Sequence, residues 1–231
     1  MKKVPIFFVK IFKLPSVCII FGLLSLMFVE LDRRTYTSNF FNSSSGNIEI
    51  IKSTSPSKEF IIIGHGFAGS KEMMRQIAYD VAKAGSNAVL FDFIGHGSNQ
   101  QKLVNEPTEI TGTTQQLVDQ LFNIINFIYE KFGDDIKISL IGHSMASDIV
   151  VRASADKRIK SVVAISPYST GITQDFPKDL LLISGQFESH LRSHALQMVK
   201  TFKPEANENT EYKNENIRRK ASFIENTGHV S

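Results

Sequence analysis

The sequence predicts an α/β fold with a mostly parallel sheet and helices on both faces. Short apolar runs that suit buried strands alternate along the chain with segments whose apolar residues recur at helical spacing. This alternation is typical of β-α units, in which each crossover helix packs back against the sheet. With 231 residues and 42% hydrophobic content, the chain can build one sizeable core, so we expect one globular domain after a short N-terminal appendage.

The apolar runs predict six main strands, near residues 60–64, 87–93, 136–141, 161–165, 180–184 and 219–224. A further antiparallel strand at the sheet edge is predicted for 48–52. Two helices have clear apolar stripes: one covers 74–82 and ends before Gly85, and the other covers 117–132 and ends at Gly133.

The N-terminal segment is predicted to be a single transmembrane signal anchor. Residues 14–29 carry no charge, and as a helix they would rise about 24 Å, close to the roughly 30 Å of a bilayer core. Four lysines precede this stretch, so the positive-inside rule places the N-terminus in the cytoplasm and the remaining chain on the outer, periplasmic or extracellular side. The alternative is a signal peptide whose cleavage gives a secreted protein.

This interpretation divides the chain into three parts. Residues 1–34 form a cytoplasmic stub and anchor, 35–47 are polar and turn-rich enough for a tether, and 48–231 form the globular domain. The first part holds six of the 26 Lys and Arg residues, which leaves 20 basic against 21 acidic residues in the remainder. That balance argues against a nucleic-acid partner. Cys18 is the single cysteine, so an intramolecular disulfide is excluded.

The apolar run 136–141 is followed by the sequence Gly-His-Ser-Met-Ala at 142–146. A strand that ends in G-x-S-x-G, with small residues two before and two after the serine, predicts a sharp turn that exposes a nucleophile. Ala146 replaces the last glycine and remains small. Ser144 is therefore the candidate nucleophile.

A serine hydroxyl is a weak nucleophile at neutral pH, so it needs an imidazole base that is oriented by a carboxylate. Glu188 follows the strand-like run 180–183, and His229 follows the run 221–224. The chain order Ser144, acid, histidine is the order expected when such a turn carries the serine.

An anion-stabilising loop is predicted upstream, where the strand 60–63 enters a His-Gly-Phe sequence. The backbone amides of Phe67 and Met145 are the predicted oxyanion donors. Together with Asp-Phe-Ile-Gly-His-Gly at 92–97, these motifs over residues 58–231 resemble the α/β-hydrolase superfamily, in its small, lidless, dienelactone-hydrolase-like esterases.

The resemblance implies a serine hydrolase that cleaves carboxylic esters or thioesters of small molecules through an acyl-enzyme, with no cofactor and no metal. It also implies that His65, Gly66, His96 and His143 line the pocket. The short connection between the strands that end near 165 and begin near 180 leaves no room for a helical lid.

Two alternative functions use the same residues. One is a hydrolase-like binding domain without turnover, and the other is a cofactor-free haloperoxidase or perhydrolase.

His190 and His194 have the spacing of a zinc motif but lack its glutamate, which favours a surface pair. Since similar proteins continue into a final helix after the histidine, we expect exposed apolar sheet surface, an untethered His229 and impaired activity.

Overall fold

The computed structural model describes residues 6–34, 36–104 and 110–229. The chain forms two compact units, Met1–Thr37 and Ser38–Ser231. The first five residues of the predicted stub lie outside the described residues.

The first unit contains helix α1, Ile6–Arg34. Its described apolar side chains are exposed, from Val17 to Leu31. The sequence predicts a membrane-spanning helix at 14–29; in the part of the chain that the structure describes, no helix has both the length and the apolar character that a bilayer crossing needs.

The second unit contains one sheet of nine strands within its described residues, in the order β1-β2-β4-β3-β5-β6-β7-β9-β8. The strands are β1 Ser38–Ser43, β2 Gly46–Ile51, β3 Glu59–Gly64, β4 Asn87–Phe91, β5 Lys137–His143, β6 Ile159–Ile165, β7 Asp179–Gly185, β8 Glu211–Lys213 and β9 Arg218–Ile224. The six central strands are parallel to one another, and β1, β2 and β8 pair antiparallel at the two edges. The predicted mostly parallel sheet is confirmed.

Four helices of this unit connect the strands: α2 Arg75–Lys83, α3 Gln115–Phe132, α4 Met145–Ala153 and α5 Ser189–Lys200. A 3-10 turn, Lys71–Met74, precedes α2, and a π-helical turn, Ile110–Thr114, precedes α3. Gly133 ends α3 with a φ of +90°, as its position after the apolar stripe predicts.

The sheet buries side chains on both faces, as the continuous apolar strands predict. On one face, residues such as Leu140 join a large cluster with α3, α4 and α5. Successive strand residues point to opposite faces, and Ile141 is buried outside this cluster, as are Ala78 and Ala82 of α2. Helix α2 therefore covers the opposite face.

The α2 face is less covered over strands β6 and β7. Val162 and Leu180 are buried in the large cluster, whereas Val163, Leu181 and Ile183, on the opposite face, are half-buried.

The predicted tether over 35–47 is wrong for its larger part, because residues 38–43 form β1 and pair with β2. Phe41 packs against the core and against Phe127, with 6.0 Å between ring centroids, so a polar segment is held by one apolar anchor. The predicted edge strand at 48–52 is second from the edge, since β1 covers it.

The connection between β6 and β7, residues 166–178, contains no helix and forms no lid, as predicted. Fully buried Arg219 holds it by donating hydrogen bonds to the carbonyl oxygens of Thr173, Gln174 and Pro177. Burial lowers the pKa of Arg219 to about 10, so the guanidinium stays charged at neutral pH. These hydrogen bonds therefore fix the backbone of residues 173–177 against β9.

Strand β5 and helix α4 pack without room for a side chain between them. A Cβ atom on Gly142 would lie 2.6 Å from the carbonyl carbon of Ala146 and closer still to its oxygen. The helix could accommodate it only by moving away from the sheet.

We expect Gly142→Ala to destabilise the protein by about 1–3 kcal/mol, because the added methyl group overpacks a backbone contact. Urea unfolding followed by circular dichroism measures this change. An unchanged unfolding midpoint would contradict the close packing of β5 against α4.

Candidate active site

Ser144 lies in the turn between β5 and α4, with φ +54° and ψ −116°. A non-glycine residue in this region stores backbone strain, which the surrounding packing must hold. The Ser144 amide donates to the Ile165 carbonyl at 2.9 Å. A Cβ atom on Gly64 would lie 3.0 Å from the Ala146 Cβ, so position 146 has space for an alanine and for little more. The structure thus has the turn that the sequence predicts.

The structure brings Ser144, His229 and Glu188 into one chain of hydrogen bonds. The Ser144 hydroxyl lies 3.0 Å from His229 Nε2, and His229 Nδ1 lies 2.7 Å from Glu188 Oε1. The three residues follow β5, β9 and β7, whose carboxyl ends meet at one edge of the parallel sheet.

The Glu188 carboxylate is buried, with 4% of its side chain exposed, whereas 44% of the His229 side chain is exposed. Burial alone would raise the Glu188 pKa, but hydrogen bonds from the Gly185 amide, the Ser166 hydroxyl and His229 outweigh it. The Gly185 amide donates to Oε2 at 2.5 Å. The net effect lowers the pKa of Glu188, so its charge is retained to orient the imidazole.

The loop that carries His229 is tethered, contrary to the expectation from the sequence. The His143 Nε2–H donates to the His229 carbonyl oxygen at 3.1 Å. The Phe187 amide donates to the Thr227 carbonyl at 3.0 Å, and the Gln186 amide to the Ile224 carbonyl at 2.9 Å. The turn after β7 and the residue beside the serine therefore hold this loop.

The two predicted oxyanion donors lie beside Ser144. A Cβ atom on Gly66 would lie 3.2 Å from the Ser144 Cβ, so the loop that precedes Phe67 closely approaches the serine. Met145 is the first residue of α4, where amides are free and the helix dipole favours negative charge. Within the described residues, the amides of Phe67 and Met145 have no hydrogen-bond partner.

His65 does not line the site, which corrects its predicted role. Its ring is fully buried: Nδ1–H donates to the Gly66 carbonyl at 2.8 Å, and Nε2 accepts from the Phe93 amide at 3.1 Å. Burial lowers the pKa of His65, outweighing the hydrogen bond to Gly66 and nearby Asp92, so the imidazole is neutral. Both ring nitrogens are used to fix the loop, which leaves none for a ligand.

Two pockets flank Ser144 in the described part of the chain. The isoleucine pocket has a volume of about 360 Å³ and is lined by Gly66, His143 and a group of apolar residues, among them Ile77, Ile165, Ile183 and Ile224. The leucine pocket has a volume of about 410 Å³ and is lined by His96 and a second apolar group, among them Leu103, Leu117, Ile149 and Leu191. The pockets share Phe67, Ser144, Ser166 and His229, so the serine lies at their junction.

The pair His190 and His194 lies on α5. The His194 ring stacks on Tyr168 with 4.4 Å between centroids, and its Nε2 lies 3.1 Å from the Ser169 carbonyl. Among the described residues, no group of three or more His, Cys, Asp or Glu side chains could hold a metal ion.

Sequence reasoning missed Ser166, whose hydroxyl donates a hydrogen bond to the Glu188 carboxylate and whose φ is +49°. It directly follows β6, as Ser144 follows β5. A polar residue at the carboxyl end of a central parallel strand was the available signal. The tether that His143 supplies had no signal in the sequence, since it joins residues 86 apart.

Comparison with known proteins agrees with this fold. Residues 59–216 match the family described as the alpha/beta hydrolase fold, and this is more than half of the chain. The protein therefore belongs to the α/β-hydrolase family. Among curated proteins no match is found.

Solved structures of similar fold include three at low sequence identity. A lidless α/β serine hydrolase from Xanthomonas campestris is 14% identical, with a TM-score of 0.61 over 84% of this chain and 86% of that chain. Dienelactone hydrolase from Anabaena variabilis is 15% identical, with a TM-score of 0.61 over 85% and 89%. An α/β serine hydrolase homologue from Coxiella burnetii is 15% identical, with a TM-score of 0.60 over 84% and 89%. These similarities support the fold.

The lowered pKa of Glu188 predicts a pH-dependent contribution to stability. A carboxylate whose pKa is lower in the folded than in the unfolded state stabilises the fold above the unfolded value, about 4.3, and loses that effect as the pH falls through the folded value. We expect Glu188→Gln to lower the urea unfolding midpoint more at pH 7 than at pH 3.

Ser166→Ala is the matched control, because it removes one hydrogen bond and keeps the carboxylate. It should shift the midpoint in the same direction by a smaller amount. Equal losses at the two pH values in Glu188→Gln would contradict the assigned environment of Glu188.

Proposed function

We propose that this protein is a serine hydrolase that cleaves carboxylic esters or thioesters through an acyl-enzyme on Ser144. The observation that carries the proposal is the hydrogen-bonded chain from the Ser144 hydroxyl through His229 to Glu188, on a strained turn that faces two apolar pockets. Nucleophile, base and orienting carboxylate are the parts that acyl transfer needs.

In the acylation half, Ser144 Oγ attacks the substrate carbonyl carbon while His229 Nε2 takes its proton. The carbonyl π electrons move to oxygen, and the amides of Phe67 and Met145 donate hydrogen bonds to that oxyanion. Buried, ionised Glu188 stabilises the imidazolium without taking its proton. When the intermediate collapses, the bond to the leaving oxygen or sulfur breaks and His229 returns the proton to that atom.

In the deacylation half, a water molecule takes the place of the leaving group. His229 removes a proton from it as its oxygen attacks the acyl carbon, and then protonates Ser144 Oγ as the ester bond breaks. The products are a carboxylic acid and the free serine. The exposure of the His229 ring provides water with access to the base.

The other two functions would differ in measurable ways. A binding domain without turnover would keep the fold and pockets but form no covalent adduct at Ser144. A perhydrolase or haloperoxidase would form the same acyl-enzyme and then use hydrogen peroxide in place of water.

We expect Ser144→Ala to abolish labelling by a fluorophosphonate probe and to lower kcat for p-nitrophenyl acetate by at least about a thousandfold, because the covalent nucleophile is lost. Gel fluorescence and a spectrophotometric assay measure the two effects. The exposed Ser193 on α5 provides the control, since Ser193→Ala should leave both unchanged. Labelling that persists in Ser144→Ala would refute the assignment of the nucleophile.

We also propose that the N-terminal segment attaches the protein to a membrane with the hydrolase unit on the outer side. The support is the uncharged stretch 14–29, preceded by four lysines, with apolar side chains that are exposed on α1. We expect the full chain to sediment with membranes after carbonate extraction and to be cleaved by protease added to intact cells. A soluble product that begins after about residue 25 would show signal-peptide cleavage instead.

A further inference from the structure

The leucine pocket is open to both reacting groups of the proposed site. It is bounded by the beginnings of α3, α4 and α5, and its lining includes Ser144 and His229. Its volume of about 410 Å³ lies within the usual range for pockets that bind small molecules, about 300–1,000 Å³. A substituent attached to a carbonyl group at Ser144 could therefore extend into it.

In the part of the chain that the structure describes, the lining of the leucine pocket contains no lysine or arginine that could pair with a carboxylate. Within the described residues its single Asp or Glu side chain is Asp148. Asp148 Oδ2 accepts from Arg152 Nε at 2.9 Å, and Oδ1 accepts from the Ser169 hydroxyl at 2.6 Å. Both carboxylate oxygens are already bonded, so an anion buried here would lose its hydration and gain no ion pair with a lysine or arginine.

One wall of the pocket is held in place before any ligand binds. The buried Ser147 hydroxyl donates to the Tyr168 carbonyl at 3.2 Å and accepts from the Tyr168 amide at 3.0 Å. The Tyr168 ring stacks on His194, with 21° between the ring planes, yet 56% of the residue is exposed. An apolar group in the pocket would therefore meet a preformed aromatic wall, which lowers the entropic cost of binding.

We infer that the leucine pocket binds an uncharged aliphatic substituent of the substrate, attached to either the acyl carbon or the ester oxygen. This inference rests on the proposed ester hydrolysis at Ser144. Apolar contacts with Leu103, Leu117 and Leu191 make each added methylene favourable, whereas a terminal carboxylate meets no cation.

Two substrate series test the inference and identify the side that binds. In one, p-nitrophenyl esters carry acyl chains from acetyl to octanoyl; in the other, n-alkyl acetates from ethyl to octyl are followed by pH-stat. In one of the two series, kcat/KM should rise about fourfold per added methylene until the pocket is filled. One charged substrate per series completes the test. In the acyl series, the p-nitrophenyl monoester of adipic acid is compared with p-nitrophenyl hexanoate; in the alkyl series, 6-acetoxyhexanoate is compared with hexyl acetate. In the series whose kcat/KM rises, the charged ester should react at least about tenfold more slowly than its uncharged counterpart.

Leu191 is half-buried on α5, so its substitution tests the pocket without touching the catalytic chain. Leu191→Trp should end the rise at a shorter chain because it fills the pocket. Leu191→Lys should flatten the rise and reduce the penalty for the carboxylate. Leu196, half-buried on the same helix but outside the pocket lining, provides the matched control: Leu196→Lys should keep the wild-type profile.

The outcomes separate the inference from the function on which it rests. A wild-type protein that hydrolyses no ester and takes no fluorophosphonate label would overturn the proposed function. A labelled protein that hydrolyses short esters, but whose kcat/KM does not rise with chain length in either series, would overturn the inference alone. Profiles that change equally in Leu191→Lys and Leu196→Lys would also overturn it.

Discussion

The contact between strand β5 and helix α4 determines the geometry of the site. Gly142 lets the helix backbone reach the strand, and Ala146 fills the remaining space against Gly64. This packing forces the chain to turn within one residue, and Ser144 absorbs the strain in its backbone dihedral angles. Larger residues at these positions would relax the turn and withdraw the hydroxyl from the sheet edge.

The other two members of the hydrogen-bonded chain depend on the sheet rather than on this turn. Glu188 and His229 follow the paired strands β7 and β9, so the register of those strands sets where each side chain begins. Their loops are then joined by backbone hydrogen bonds between the turn after β7 and the loop after β9. The 2.7 Å contact between the two side chains is thus a consequence of strand pairing and loop bonding together.

The surroundings set the charge of two buried side chains, Glu188 in the site and His65 outside it. Glu188 is buried but receives several hydrogen bonds, which favours its anion. His65 follows β3, three strands away from β7 in the sheet; it is buried against main-chain groups and stays neutral. The balance between burial and hydrogen bonds therefore decides which of the two groups is charged.

The sequence was most informative where apolar strands end in polar residues. Ser144, Glu188 and His229 each follow such a strand, and parallel strands bring their carboxyl ends together whatever the loops do. It was least informative where one apolar residue holds a polar segment. Strand β1 was predicted as a tether because its residues are mostly polar, although it pairs with β2 and packs Phe41 against Phe127 of α3.

By itself, the sequence determined the fold class, the family resemblance and the three residues of the hydrogen-bonded chain, because periodicity and motif order are local properties. Tertiary structure decided what the remaining residues do. His65 was expected to line the pocket but is fully buried outside the lining; His143 tethers the His229 loop; Ser166 donates a hydrogen bond to Glu188. These roles depend on hydrogen bonds between residues far apart in the chain, and such contacts exist only after the strands are paired.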